Sequence, residues 1–253
     1  MDLIERAKLL KGTIGFYYKD INSGEIIAYN EKKEFIPASI IKLPVFMAIC
    51  KMASQGRADL KEKIKITYDL RVPSCGAFNA FTDEPVVDIK TLCNLMIVIS
   101  DNTAANVLIH HFGIENLNRE FKKMGLTNTR IERLFYDDEM QEKGYNNKAV
   151  PEEIGMLLES IYRKEFVNKE VSDYILSVLL NQQHRDLIPT YIEDFCQVGN
   201  KTGEARGISG DVALILGEHP FILVIIANEA FVPEVNDFIR ISGKDLFEKN
   251  RRL

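Results

Sequence analysis

Ser39 stands three residues before Lys42 in the run Pro37-Ala38-Ser39-Ile40-Ile41-Lys42. On a helix that spacing puts both side chains on one face, so an amine can sit beside a hydroxyl. A serine attacks an acyl carbonyl when a nearby base takes its proton and donors meet the developing oxyanion. Partial burial and a second cation would both depress the lysine's pKa and suit it to the base role. A serine at a helix start also gains from the positive end of the helix dipole. The pair alone says little. Roughly one Ser-x-x-Lys is expected in a chain this long, and an N-cap serine beside a solvent-facing lysine is the ordinary reading.

Two tripeptides downstream change that weighting: Ser100-Asp101-Asn102 and Lys201-Thr202-Gly203. All three motifs in this order arise by chance on the order of once in a thousand such chains. Lys201-Thr202-Gly203 is no nucleotide-binding loop, because Asn200 stands where that pattern needs a glycine. Ser100 or Asp101 also reads locally as the N-cap of a helix from Thr103 to His111. Taken together, the trio resembles the active site of the penicillin-recognising serine enzymes, most closely the class A β-lactamase-like family.

The resemblance implies acyl-serine hydrolysis of an amide or ester with no metal or organic cofactor. Ser39 is then the nucleophile, Lys42 its base, Ser100 the proton relay to the leaving group and Lys201 an electrostatic anchor. Asn102 would hydrogen-bond a substrate amide carbonyl, with Asp101 stabilising its loop. Lys201 and Thr202, beside the motif Gly203, would hold a substrate carboxylate. The oxyanion hole would pair the backbone N–H of Ser39 with that of Glu204, where the side chain is immaterial. Phe78 and Phe81 are read either as an aromatic gate to the cleft or as core.

Two expected residues are missing. Class A β-lactamases carry a glutamate on a loop after the helical lobe, which activates water for release of the acyl-enzyme. Threading Thr129-Arg130-Ile131-Glu132-Arg133-Leu134-Phe135 onto that loop puts Phe135 at the glutamate position, followed by Asp137, Asp138 and Glu139. Those three read as a solvated acidic patch, the alternative being that a bulge brings one of them into the glutamate's place. An arginine that helps bind the β-lactam carboxylate is replaced by Ser209, with Arg206 nearby in a turn as a substitute or a plain turn residue. Acylation is expected to be intact, and release and β-lactam affinity weak. The leading function is a class A β-lactamase-like hydrolase. The alternatives are a penicillin-binding-type peptidase or esterase and a non-catalytic module binding cell-wall fragments.

The elements that must position these residues follow from hydrophobic periodicity. An amphipathic helix over 1–12 precedes two strands, Gly15–Tyr18 and Glu25–Tyr29, and then a helix from Ser39 to Met52 with Pro44 near its start. Helical periodicity then dominates in Ile89–Ile99, Thr103–His111, Glu115–Lys123, Pro151–Arg163 and Glu170–Leu180. The stretch 129–148 is polar and aperiodic, the mark of a functional loop. Strands return at Cys196–Gly203, Asp211–Leu216 and Phe221–Ile226 before a closing helix, Val235–Asn250. The expected fold is α/β (α+β): one antiparallel sheet flanked by the terminal helices, built from 1–59 and 184–253, with an all-helical lobe, 60–183, inserted. This is the β-lactamase/transpeptidase-like arrangement, with the motifs lining a cleft between lobes.

Composition narrows the partners. The 253 residues are 46% hydrophobic and 27% charged, enough for a core without disulfides. A net charge of −5 argues against nucleic acid, whereas the resemblance implies a small-molecule substrate. No apolar run reaches the length of a membrane span, and a monomer is expected. His110 and His111 are consecutive and cannot chelate together, so no metal site is expected. The four cysteines lack metal-site spacing, and free thiols are the default. The resembled fold puts Cys50 and Cys93 on packed helices, which leaves a disulfide open. The opening Met1-Asp2-Leu3-Ile4-Glu5-Arg6 lacks a secretory-signal pattern, whereas the family resemblance implies an extracytoplasmic enzyme.

Overall fold

The computed structural model describes residues 2–73 and 75–251; Met1, Ser74, Arg252 and Leu253, which include the outermost ends of the expected lobes, lie outside the described residues. In chain order the helices are α1 (Leu3–Leu9), α2 (Lys42–Ser54), α3 (Ile89–Val98), α4 (Asn102–Phe112), α5 (Ile114–Lys123), α6 (Asp138–Glu142), α7 (Pro151–Tyr162), α8 (Lys169–Leu180) and α9 (Val232–Asn250). The strands are β1 (Thr13–Asp20), β2 (Ile26–Tyr29), β3 (Lys63–Lys65), β4 (Val86–Asp88), β5 (Val198–Ala205), β6 (Ile208–Ile215) and β7 (Phe221–Asn228).

The fold is α+β. Five strands form one antiparallel sheet in the order β2-β1-β7-β6-β5, so the two ends of the chain meet in its centre. Strand β7 shows why the sheet is covered on both sides. Its run Phe221-Ile222-Leu223-Val224-Ile225-Ile226 is apolar throughout, as a strand buried on both faces requires. Ile222, Val224 and Ile226 join the core shared with the helices, while Phe221, Leu223 and Ile225 join the core under α9. α7 lies on the first face against β1, β6 and β7, and α9 on the second, with α1 beside it.

Helix α2 runs through the middle of the molecule, buried along almost its whole length. Pro44 falls in its first turn, where a backbone N–H has no helical partner to lose. The expected helix start at Ser39 is instead a 3-10 turn, Ala38–Ile41, that leads into α2. The segment 60–183 is mostly helical but carries a small ladder, β3 with β4. That ladder left no strand pattern in the sequence, because each strand has three residues and Lys63 and Lys65 point to solvent. Cys50 and Cys93 are buried thiols that are not joined. Among the described residues, no helix is long and apolar enough to cross a membrane.

Candidate active site

Ser39 sits in the 3-10 turn just after Ala38, whose φ of 45° is rare for a residue with a Cβ. Strand β5 presses against this turn. A Cβ on Gly203 would lie 2.4 Å from the Pro37 carbonyl oxygen, so the motif glycine lets strand and turn touch. A cleft of about 390 Å3 opens over Ser39. Glu204, Ala205 and Arg206 form one wall, and Arg133, Phe135 and Tyr136 the other.

Behind Ser39 lie two fully buried lysines. Lys42 Nζ donates to the Ser100 carbonyl oxygen at 2.6 Å, to Asn102 Oδ1 at 2.7 Å and to Ser100 Oγ at 3.2 Å. Those three contacts use every N–H of an ammonium. Lys42 is thus one turn from Ser39 as the spacing required, but its amine turns toward Ser100 and Asn102, and no hydrogen bond joins it to Ser39 Oγ among the described residues. Lys201 Nζ donates to the same Ser100 Oγ at 3.0 Å and to the Thr202 carbonyl oxygen at 2.8 Å. Burial, then the charge of Lys201, hold the Lys42 amine well below the ordinary lysine value. Burial lowers Lys201 to about 7, against the opposing charge of Asp211. Asp211 is itself buried and pushed up to about 7, although Asn200 and the backbone N–H of Ile188 donate to it.

Ser100 is held by the turn ahead of α4. Its φ is 57°, another left-handed residue at the site; such strain typically costs about 1–3 kcal/mol and persists where the surroundings enforce it. Asp101 does the enforcing. One oxygen caps α4 through the Ala104 N–H at 2.8 Å, and the other accepts from the Ala77 N–H at 2.6 Å. Gly76, at φ 133°, packs so close that a Cβ there would lie 2.2 Å from that second oxygen. Asn102 lines the cleft.

Strand β5 is an edge strand, and its register decides where its N–H groups point. Ala205 pairs with Ile208 across the two-residue turn Arg206-Gly207, so this pair exchanges hydrogen bonds. By alternation, Glu204, opposite Ser209, points its N–H away from β6 and off the sheet edge. The N–H of Ser39 lies at the start of the 3-10 turn, where it too has no helical partner.

Of the other expected contacts, Arg206 is exposed on the cleft wall, and Thr202 is half-buried and takes part through its carbonyl. Phe78 is 1% exposed, packs on Phe81 at 5.8 Å between ring centroids and does not line the cleft. Ser209 is buried and donates to Asn236 Oδ1 on α9 at 2.5 Å.

The opposite wall is the loop 129–148, closed by a two-way backbone pair between Arg130 and Lys148. Phe135 is clamped by Asn106 of α4, which accepts from its N–H and donates to its carbonyl oxygen, both at 2.8 Å. The Phe135 ring lies over Lys42, with Nζ 4.6 Å from the centroid. Asn118 clamps Ile131 in the same two-way manner, Asn147 accepts from the N–H groups of Glu132 and Arg133, and Glu153 accepts from those of Thr127, Asn128 and Thr129. These clamps escaped the sequence reading. For Asn106 and Asn118 the one signal is an asparagine inside a helix, where its side chain competes with the backbone. Of the acidic trio, Asp137 caps α6, Glu139 pairs with Lys143 at 2.6 Å and Asp138 is exposed on the cleft wall.

The model of the beta-lactamase enzyme family matches residues 2–249. This chain belongs to that family. As a member, it is a class A β-lactamase-like hydrolase by descent. Beta-lactamase BRO-1 of Moraxella catarrhalis is 23% identical over 240 residues, covering 91% of this β-lactamase-family chain and 72% of that protein. The crystal structure of a beta-lactamase from Sphaerobacter thermophilus superposes with a TM-score of 0.90 at 21% identity, covering 99% and 96% of the two chains. PBP-A, solved as a leucine-to-glutamate mutant in an acyl-enzyme complex with penicillin G, superposes at 0.89 and 24% identity, with the same coverage. At these identities the structural likeness speaks for the fold.

Proposed function

We propose that this chain opens β-lactam rings through an acyl-Ser39 intermediate that forms readily and is released slowly. The observation that carries this reading is Ser100 Oγ accepting from both buried lysines. With both of its lone pairs engaged, the hydroxyl's own proton is the one group left to give. Lys42, in the neutral form that burial favours, keeps its N–H bonds to the Ser100 carbonyl oxygen and Asn102 Oδ1 and gives up the longer contact to Ser100 Oγ. Its lone pair takes the Ser39 proton as the hydroxyl oxygen attacks the carbonyl. Ser100 gives its own proton to the leaving nitrogen and is reprotonated by Lys42. The N–H groups of Ser39 and Glu204 receive the oxyanion. Lys201 with Thr202, assisted by Arg206, binds the substrate carboxylate, and Asn102 the acyl amide. The expected lobes, 1–59 with 184–253 and 60–183, would work as one unit, since the motifs come from both.

Slow release rests on Phe135. A ring cannot activate water, and a lost general base costs roughly two to four orders of magnitude. This departure also favours the second reading, a penicillin-binding-type peptidase or esterase using the same nucleophile. A chromogenic cephalosporin followed by colour and intact mass together tests both. A long-lived adduct on Ser39 with little turnover is expected. Rapid multiple turnover would overturn the slow-release reading, and no adduct in wild type or no difference in Ser39→Ala would overturn the serine chemistry.

A further inference from the structure

An arginine taken partly out of water needs an anion near it, because desolvating its charge is costly unless it is paired. Arg130 is paired, with Glu34 at 2.6 Å and Glu132 at 2.7 Å. Arg133, three residues on, is not. It is half-buried on the cleft wall, and among the described residues no carboxylate lies within ion-pair distance of it. Its guanidinium donates from Nε and Nη2 to Asn146 Oδ1, each at 3.3 Å, and from Nη1 to the Leu134 carbonyl oxygen at 3.0 Å. Three of the five N–H groups of a guanidinium are thereby used, and both acceptors are neutral. Asp137 and Asp138 act on it at longer range, yet burial outweighs them and lowers its pKa.

The cleft is not generally cationic, since Asp138 and Glu204 line it together with Arg133 and Arg206. Attraction for an anion is therefore local to particular points. Ser100 and Lys201 stand together behind the β5 wall, so the leaving half of a substrate belongs there. The acyl half then faces the loop 129–148, where Arg133 is held in place by Asn146. We propose that Arg133 binds a second carboxylate, carried on the acyl half, and that the preferred acyl donor is a dicarboxylate spanning the two walls. The assignment rests on the acyl-Ser39 reading above.

Benzylpenicillin and carbenicillin differ by one carboxylate on the acyl side chain and suit the test. Rate constants for labelling of Ser39 are measured by mass spectrometry at low and high salt. Carbenicillin is expected to react roughly tenfold faster, as one charge-assisted contact at a partly exposed site allows, and salt should shrink the excess. Arg133→Gln should abolish the excess and Arg133→Lys keep part of it. The readout is a ratio on one protein, so a general loss of fold lowers both rates and leaves the ratio unchanged. An equal or slower rate with carbenicillin in the wild type, or an excess that survives Arg133→Gln, overturns the proposal. Labelling by neither compound overturns the acyl-serine reading instead. Calorimetric titration of Ser39→Ala then still decides on Arg133: tighter binding of carbenicillin, lost in Ser39→Ala with Arg133→Gln, supports it, and the absence of that preference overturns it.

Discussion

The two walls of the cleft are built in opposite ways. The β5 wall is held by regular secondary structure: a ladder register, a glycine at a backbone contact, and a buried lysine tied to Ser100. The loop wall has almost no ladder of its own. It is held by single polar side chains reaching from elsewhere, Asn106 from α4, Asn118 from α5 and Glu153 from α7. Under the proposed function, acylation would depend on the first wall and release of the acyl group on the second. The first keeps the family motif Lys201-Thr202-Gly203 in full, whereas threading the second onto the family's loop would put Phe135 at the place of its carboxylate. Rate of capture and rate of release should therefore respond to different substitutions.

The largest effect expected on the acylating side is that of Lys42→Ala. It removes the proposed base and leaves the Ser100 carbonyl and Asn102 Oδ1 without their donor. Labelling of Ser39 by the chromogenic cephalosporin should slow by about two to four orders of magnitude. A rate within tenfold of wild type would mean that some other group takes the proton. On the loop wall, Phe135→Glu should do the converse. Acylation changes little, while the adduct's lifetime shortens by about two orders of magnitude and steady turnover appears. An unchanged lifetime would show that more than the missing carboxylate limits release.

This division also explains what could be read from the amino-acid order. The β5 wall was legible, because a short motif and a periodic strand state both identity and position. The longer helices were legible too, with boundaries off by up to three residues where local bonds decide them, whereas the five-residue α6 lay unseen inside the stretch read as a loop. Strand β5, for example, starts at Val198 rather than Cys196, since the Cys196 N–H still bonds the Ile192 carbonyl oxygen of the preceding turn. The clamps of the loop wall were not legible. Asn106, Asn118 and Glu153 lie 29, 13 and 24 residues from the backbone they hold, and a single asparagine forms no pattern. The turn of the Lys42 amine away from Ser39 was equally hidden, because helix spacing places the Cβ and leaves the amine's partners open.

A smaller effect tests how the β5 wall keeps its charge. Lys201 is lowered to about 7 by burial and sustained by the charge of Asp211 on the neighbouring strand. Asp211 is itself raised to about 7, so below that pH it is neutral and supplies no field. Above it, the ionised carboxylate favours the charged amine. Asp211→Asn removes that support, Lys201 loses its proton at lower pH, and the limb on which acylation falls with rising pH moves to acid by about one unit or less. Wild type and variant should acylate alike near pH 6 and diverge several-fold near pH 8. A ratio that stays constant across that range would sink the electrostatic account and leave Asp211 a structural role.

The smallest effect on chemistry should come from Asn106→Ala, and it is the sharpest test of whether the walls are independent. The substitution leaves the Phe135 N–H and carbonyl oxygen without their partner, while Lys42, Ser100 and Lys201 keep all of their own contacts. Each lost hydrogen bond is worth about 1 kcal/mol, and Asn106 is buried while Phe135 is half-buried, so stability should fall by roughly 2 kcal/mol. For a chain of this size that lowers Tm by a few degrees, measurable by calorimetry. Acylation should slow less than about threefold, because nothing on the β5 wall has moved. Release should quicken slightly, because a Phe135 no longer clamped screens the ester from water less well, although no base has been added. If Asn106→Ala instead lowered acylation as far as Lys42→Ala, the loop would be holding the Lys42 amine in place through the Phe135 ring, and capture and release would share one support.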